Sequence, residues 1–297
     1  MAPITLQELL QDEQMRFAIS IINSAYASDS LDRLGIQKPG SVRYYLPMEI
    51  RYLAGAERDP RRHVFGVAHT VDFRVVKDPD APAYRENPYE GEITFIRTLR
   101  PGDVAVINTP THETFPTGEE NERKCGGTWG GLLTALSLSY GAVGAVIHGP
   151  LRDTDQINSY FGDEPFDPRS RRSLERALGS KASEANIKKA REALLAREKF
   201  PIFGTGTEPT DSAFRIEAVH VGEPIKIGDV TICDRDFIVA DRDGQVVIPN
   251  ETIRDVLKMV IRIDGGDKNV WADALTRIAG FHGDSIDEIV ARHGGHL

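Results

Sequence analysis

The chain has 297 residues, with 36 Lys and Arg against 45 Asp and Glu and a formal net charge of −9. That length suits one large domain or two small ones, and 40% hydrophobic with 27% charged residues excludes wholesale disorder. No apolar run approaches the ~18 residues of a membrane helix, and the acidic balance argues against DNA as the main partner.

The first segment predicts a helix. Thr5 with Glu8 is a capping-box pattern, and Leu6, Leu9, Leu10, Phe17, Ile21 and Ile22 recur at near-helical spacing. Ser28-Asp29-Ser30 is a second helix start, with Gly35 as its stop. From His63 to Val76 apolar and polar residues alternate, as in a strand, and Ile93 to Leu99 is a further candidate strand. Pro101-Gly102-Asp103 predicts a turn into a buried strand, Val104 to Ile107. A polar, glycine-rich loop, His112 to Gly131, leads into a short helix, Leu132 to Tyr140. A second buried strand, Val143 to Ile147, completes a βαβ unit with a parallel pair.

Residues 165–199 read as a helical insertion. Between Pro168 and Lys199 ten Lys and Arg face four Asp and Glu, a local excess of six positive charges. A solvated helix or a contact arm for another subunit fits that composition. Short strands follow at Val219–Val221, Ile225–Ile227, Val230–Cys233, Phe237–Ala240 and Gln245–Ile248, with a hairpin signal at Asp241-Arg242-Asp243-Gly244. Pro249-Asn250-Glu251 opens a helix through Ile263, and two weaker helices follow.

Chemistry concentrates in two places. Cys125-Gly126-Gly127-Thr128-Trp129-Gly130-Gly131 brings a flexible backbone to a helix N-terminus, where free amides and the helix dipole favour a carboxylate or phosphate. A loop that needs glycine only to turn explains the same residues. Arg152-Asp153 follows the second strand, so both features lie at carboxyl ends of parallel strands, where α/β sheets bind ligands. Asp153 suits a hard ion such as Mg²⁺ and Arg152 a substrate oxyanion; Asp153 with Gln156 also fits an N-cap and capping box. His112, Glu113, Glu119, Glu120, Cys125 and His148 are lesser candidates. The first five residues carry no secretory signal pattern. Two cysteines, Cys125 and Cys233, are too few for a disulfide framework. A cytoplasmic setting with no membrane partner is the expectation.

In their order along the chain, these pieces resemble the RraA-like family, which joins regulators of ribonuclease activity to class II pyruvate aldolases. The matching pieces are Ser28-Asp29-Ser30-Leu31, Gly66 to Val71, Gly102-Asp103-Val104, Trp129 to Leu133, Gly144 to Asp153, and Ala240 to Gly244 with Val246 to Pro249. The resemblance implies one domain over 1–297. Its core spans about 28–260, the insertion 165–199, and a C-terminal helical extension 264–297. It implies an α/β fold, a compact α/β/β/α sandwich with a swivelling-domain-like core, assembled as a homotrimer or homohexamer with sites between subunits.

The resemblance also implies roles. Gly130, Gly131, Leu132 and Leu133 would contact the substrate carboxylate through the backbone. Arg152 would bind substrate and act in catalysis, and Asp153 would ligate Mg²⁺ or Mn²⁺. The family's upstream Asp would fall at position 131, which is Gly131 here; another acid would have to substitute, or aldolase activity would be weak. The expected function is a divalent-metal-dependent lyase on a 2-oxo acid, by retro-aldol cleavage or oxaloacetate decarboxylation. The alternatives are a non-catalytic regulatory protein, or a metal-dependent hydratase or isomerase on a sugar-derived acid.

Overall fold

The computed structural model describes residues 3–38, 40–41, 43–76, 86–109, 125–161, 168–197, 199–281 and 285–293. Three short helices come first: α1 (Leu6–Gln11), α2 (Glu13–Ile21) and α3 (Ser24–Arg33). The single helix expected over the first segment is broken at Asp12. The backbone there is extended, and Asp12 Oδ1 accepts the amide hydrogens of Gln14 and Met15 at 2.9 and 3.2 Å. A cap of this kind starts a new helix rather than continuing the old one. The Thr5–Glu8 capping box forms as expected. α3 starts earlier than Ser28, because Asn23 caps it by accepting from Tyr26 N at 2.7 Å.

Strands β1 (Arg51–Ala54) and β2 (Val64–Val75) precede helix α4 (Glu90–Thr98). The strand expected at Ile93–Leu99 is therefore helical. Its buried residues, with Glu92, fall at 92, 95, 96 and 99, one face of a helix and not alternate residues of a strand. The βαβ unit is present as β3 (Asp103–Asn108), α5 (Gly131–Ser139) and β4 (Gly144–His148), with β3 and β4 parallel. Next come β5 (Pro150–Leu151), α6 (Thr154–Tyr160), and the basic segment as α7 (Pro168–Leu178) and α8 (Glu184–Leu195). Strands β6 (Ile202–Gly204), β7 (Gly206–Thr207), β8 (Ile216–Val221), β9 (Ile225–Ile227), β10 (Val230–Ile232), β11 (Phe237–Ala240) and β12 (Gln245–Ile248) lead to helices α9 (Ile253–Ile278) and α10 (Ile286–His293).

The main sheet has the order β1-β6-β4-β3-β2-β11-β12, with β8 also paired to β2. Residue parity decides what each face buries. Val104, Val106 and Val146 point inward with Ile238, Ala240 and Val247, and the β9–β10 ribbon covers them with Ile225, Ile227, Val230 and Ile232. Ala105, Ile107, Ala145 and Ile147 point outward beneath Phe95, Trp129, Leu133 and Ile157. Phe237, Val239, Val246 and Ile248 also point outward, under Leu9, Met15, Ala18 and the first half of α9. The result is a mixed α/β fold: a sheet curled around a small ribbon, with helices outside.

α9 does not stop at Ile263. It continues through Gly265 and Gly266 to Ile278, although its buried residues end at Gly266. A Schellman close ends it, with Gly280 N donating to Arg277 O at 3.0 Å and Phe281 N to Thr276 O at 2.9 Å. Among the described residues no helix is long and apolar enough to cross a membrane.

One ion pair pins the sheet's interior. Arg235, itself in a left-handed conformation (φ 77°), donates to Asp103 Oδ1 at 2.9 Å and Oδ2 at 3.3 Å, and Asp103 is 2% exposed. Removing one partner of such a pair strands a buried charge. Arg235→Ala is expected to cost about 3 kcal/mol of stability. Urea unfolding of the two proteins measures it, and an unchanged midpoint would disprove the role.

Candidate active site

The glycine loop is built by close approach, not only by turning. Gly126 has φ 72°, and a Cβ there would run into the Asp211 carbonyl. A Cβ on Gly127 would lie 2.9 Å from Arg152 Cβ and 3.0 Å from Glu208 O. On Gly130 it would lie 2.7 Å from Asp153 Oδ2. Glycine is what lets these backbones pack together. Gly127 N donates to Thr210 O (2.8 Å), Thr128 N to Pro150 O (2.9 Å), and Arg152 N to Trp129 O (2.9 Å), so the loop is stitched to two other segments. Trp129 anchors it. The ring is fully buried, stacked on Phe200, and its Nε1 donates to Thr134 Oγ1 at 2.9 Å.

At the far end of this loop Gly130 caps α5 without a side chain. The first amides of a helix have no partner inside it. Gly131 N donates to Asp153 Oδ2 at 3.2 Å. Leu132 and Leu133 follow in the first turn of the same helix. The structure thus brings together all the residues singled out there: Gly130, Gly131, Leu132, Leu133, Arg152 and Asp153.

The capping reading of Asp153 is overturned. Asp153 precedes α6 but takes a left-handed conformation (φ 59°, ψ 28°) and makes no side-chain cap bond. A left-handed residue is uncommon outside glycine, Asn and Asp. Here it turns the carboxylate away from α6 and onto the N-terminus of α5. Arg152 lies between two carboxylates, with Nε 3.6 Å from Asp153 Oδ2 and Nη1 3.0 Å from Asp211 Oδ2. Tyr89 Oη donates to that same Asp211 oxygen at 2.6 Å, and Ala213 N donates to the other at 3.2 Å.

Asp211, Tyr89 and Glu92 were not singled out in the sequence. Burial would raise the Asp211 carboxyl, but the Tyr89 hydroxyl, the Ala213 amide and the Arg152 guanidinium outweigh it and hold the group below the usual carboxylate range. The bond to Asp211, and then burial, push the Tyr89 phenol up. Behind them Glu92 is 2% exposed and accepts from Ser212 Oγ at 3.1 Å. Burial pushes its carboxyl up to about 7, and Asp211 adds to the effect. On the other side of Gly131, Gln156 Nε2 donates to Tyr160 Oη at 2.9 Å. Burial raises the Tyr160 phenol, as does the charge of Asp153, against the Gln156 bond.

The lesser candidates separate. Cys125 is buried, and burial raises its thiol rather than a helix end lowering it. His148 belongs to the inward-facing set of β4, across the sheet from Trp129. Its Nδ1 lies 2.9 Å from Asn108 Oδ1, whose amide donates to Asp72 Oδ1 at 2.7 Å. His112, Glu113, Glu119 and Glu120 lie outside the described residues. No group of three or more His, Cys, Asp or Glu among the described residues could hold a metal ion. One carboxylate at the open end of a helix fits Mg²⁺, which keeps several waters and takes one or two carboxylates. The described residues do not supply the four ligands of a closed zinc centre.

Comparison with known proteins identifies the family. The family model described as RraA-like, Aldolase/RraA, matches residues 42–182 and 191–247. The chain belongs to the RraA-like family. The matched stretches carry the glycine loop and Arg152-Asp153, and they break only within the basic segment. Protein DlpA of Legionella pneumophila is 23% identical over 241 residues, which is 81% of this chain; the chain spans 28% of that protein's length. Streptomyces coelicolor RraAS2, described as an unusual member of the RNase ES inhibitor RraA protein family, aligns with a TM-score of 0.53 and 19% identity over 90% of this chain and 98% of its own. A structure described as novel cellulases from microbes associated with the gut ecosystem aligns at 0.59, with 23% identity over 90% and 89% of the two chains. At these identities the likeness is one of fold.

A carboxyl that titrates higher in the folded chain than in the unfolded one stabilises folding at low pH. That stability is lost as pH rises from the unfolded value, 4.5, through about 7 for Glu92. Glu92→Gln is therefore expected to gain about 2 kcal/mol relative to wild type between pH 5 and pH 8. Denaturant unfolding at the two pH values measures this; an equal effect at both would show that Glu92 is not held neutral.

Proposed function

We propose that this protein is a divalent-metal-dependent lyase on a 2-oxo acid, cleaving a 4-hydroxy-2-oxo acid or decarboxylating oxaloacetate to pyruvate. The observation that carries the reading is the meeting of Arg152, Asp153 and the α5 amides at the carboxyl end of parallel strands. The Leu132 and Leu133 N–H groups bind the substrate carboxylate at the positive end of the helix. Arg152 stabilises negative charge developing on the 2-oxo oxygen, and its preset direction makes it effective there. Asp211 and Tyr89 hold that guanidinium in place, since Nη1 sits 3.0 Å from a carboxylate oxygen that is itself bonded to a phenol. Asp153 would hold Mg²⁺ or Mn²⁺, and the ion when bound supplies Lewis-acid polarisation of the 2-oxo group. A homotrimer or homohexamer, with the site completed between subunits, belongs to the same proposal.

The test is Mg²⁺-dependent pyruvate release from oxaloacetate and from 4-hydroxy-4-methyl-2-oxoglutarate, after subtraction of the reaction with free metal. Arg152→Ala and Asp153→Asn are each expected to lower the protein-dependent rate by ~10²-fold or more. Asn is the better replacement at 153 because it tolerates the left-handed backbone. Absence of any protein-dependent pyruvate would refute the lyase reading.

A further inference from the structure

Position 131 has no side chain, and what occupies the resulting space has a chemistry of its own. A Cβ built on Gly131 would lie 2.8 Å from Gln156 Oε1 and 3.3 Å from Tyr160 Oη. The Gln156 amide and the Tyr160 phenol, one turn apart on α6, therefore lie against Gly131, the residue that leads into Leu132 and Leu133 in the first turn of α5. Gln156 Nε2 donates to Tyr160 Oη at 2.9 Å. The phenol oxygen is thus an acceptor towards Gln156, and its own hydrogen points elsewhere. Tyr160 is half-buried, with its oxygen at the same helix end that Asp153 faces.

We propose that Tyr160 is the acid that delivers a proton to C3 of the pyruvate enolate. The inference rests on the lyase reading above, because it requires that enolate. In pyruvate C3 is two bonds from the carboxylate carbon, so a carboxylate on the α5 amides brings C3 within reach of the group that flanks them. The electron pair of the enolate double bond forms the new C3–H bond, and the O–H pair stays on the phenolate oxygen. Water then returns a proton to the phenolate. Gln156 positions Tyr160, and its amide hydrogen stabilises the phenolate while it lasts. Breaking the C3–C4 bond of oxaloacetate needs no proton from Tyr160; quenching the enolate on the protein does.

That separation defines the experiment. Wild type and Tyr160→Phe are compared, both with Mg²⁺, in three measurements. These are hydrogen–deuterium exchange of the pyruvate methyl group in D₂O followed by NMR, oxaloacetate consumption, and oxalate binding by calorimetry. In Tyr160→Phe exchange is expected to fall by ~10²-fold or more, oxaloacetate consumption to fall much less, and oxalate affinity to stay the same. Unchanged exchange would overturn the proposal. So would an equal loss of exchange, cleavage and oxalate affinity, which would mark a structural role. If wild type neither consumes oxaloacetate nor exchanges the methyl group, the lyase reading itself has failed and this proposal falls with it; activity in wild type with no effect of the substitution defeats Tyr160 alone.

Discussion

The architecture hangs on β2, a strand of 12 residues that is paired along both edges by three partners. β3 runs parallel to it over Val67–Asp72, while β11 and then β8 run antiparallel on the other edge, over Val64–Val67 and Val71–Val75. A strand held this way cannot slip by one residue without exchanging its two faces. Its inward set, with Val64 and Ala68, meets the ribbon, and its outward set, with Val71 and Phe73, meets the helices. Once β2 is in register, β3 and β4 inherit the same parity, and their carboxyl ends come level. The glycine loop and Arg152 occupy that edge as a consequence.

Much of this was legible in the sequence. The apolar runs at 104–107 and 143–147, the turn residues between the later short strands and the glycines before Leu132 all report local structure, and each forms close to where it was expected. What was missed has three separate causes. Asn23 and Asp12 each have one side-chain oxygen that caps a helix, which hydrophobic spacing does not register. Ile93 to Leu99 is apolar enough for either period, and it is the burial of Glu92, Phe95, Ile96 and Leu99 along one side that reveals the helical face. The continuation of α9 through two adjacent glycines runs against helix propensity.

In the site, local sequence carries Arg152 and Asp153 but not the environment that gives them purpose. Asp211 lies 59 residues further along the chain than Arg152, and the loop that bears it is brought in by backbone bonds to Gly127 rather than by any motif. The arrangement is economical in charge. One guanidinium faces two carboxylates, while burial pushes a third carboxyl, Glu92, up to about 7, so that it carries only part of its charge at neutral pH. Among these described residues one positive charge thus meets two negative ones beside the positive end of a helix.

The left-handed backbone at Asp153 also acts as a filter on descent. Most side chains would be strained there, by ~1–2 kcal/mol, before any question of ligand arises. Asn and Gly escape that penalty. A lineage that abandoned the carboxylate would therefore pass most readily through Asn or Gly at this position, keeping the turn while losing the charge. Position 153 is therefore constrained by the shape of the backbone as well as by charge.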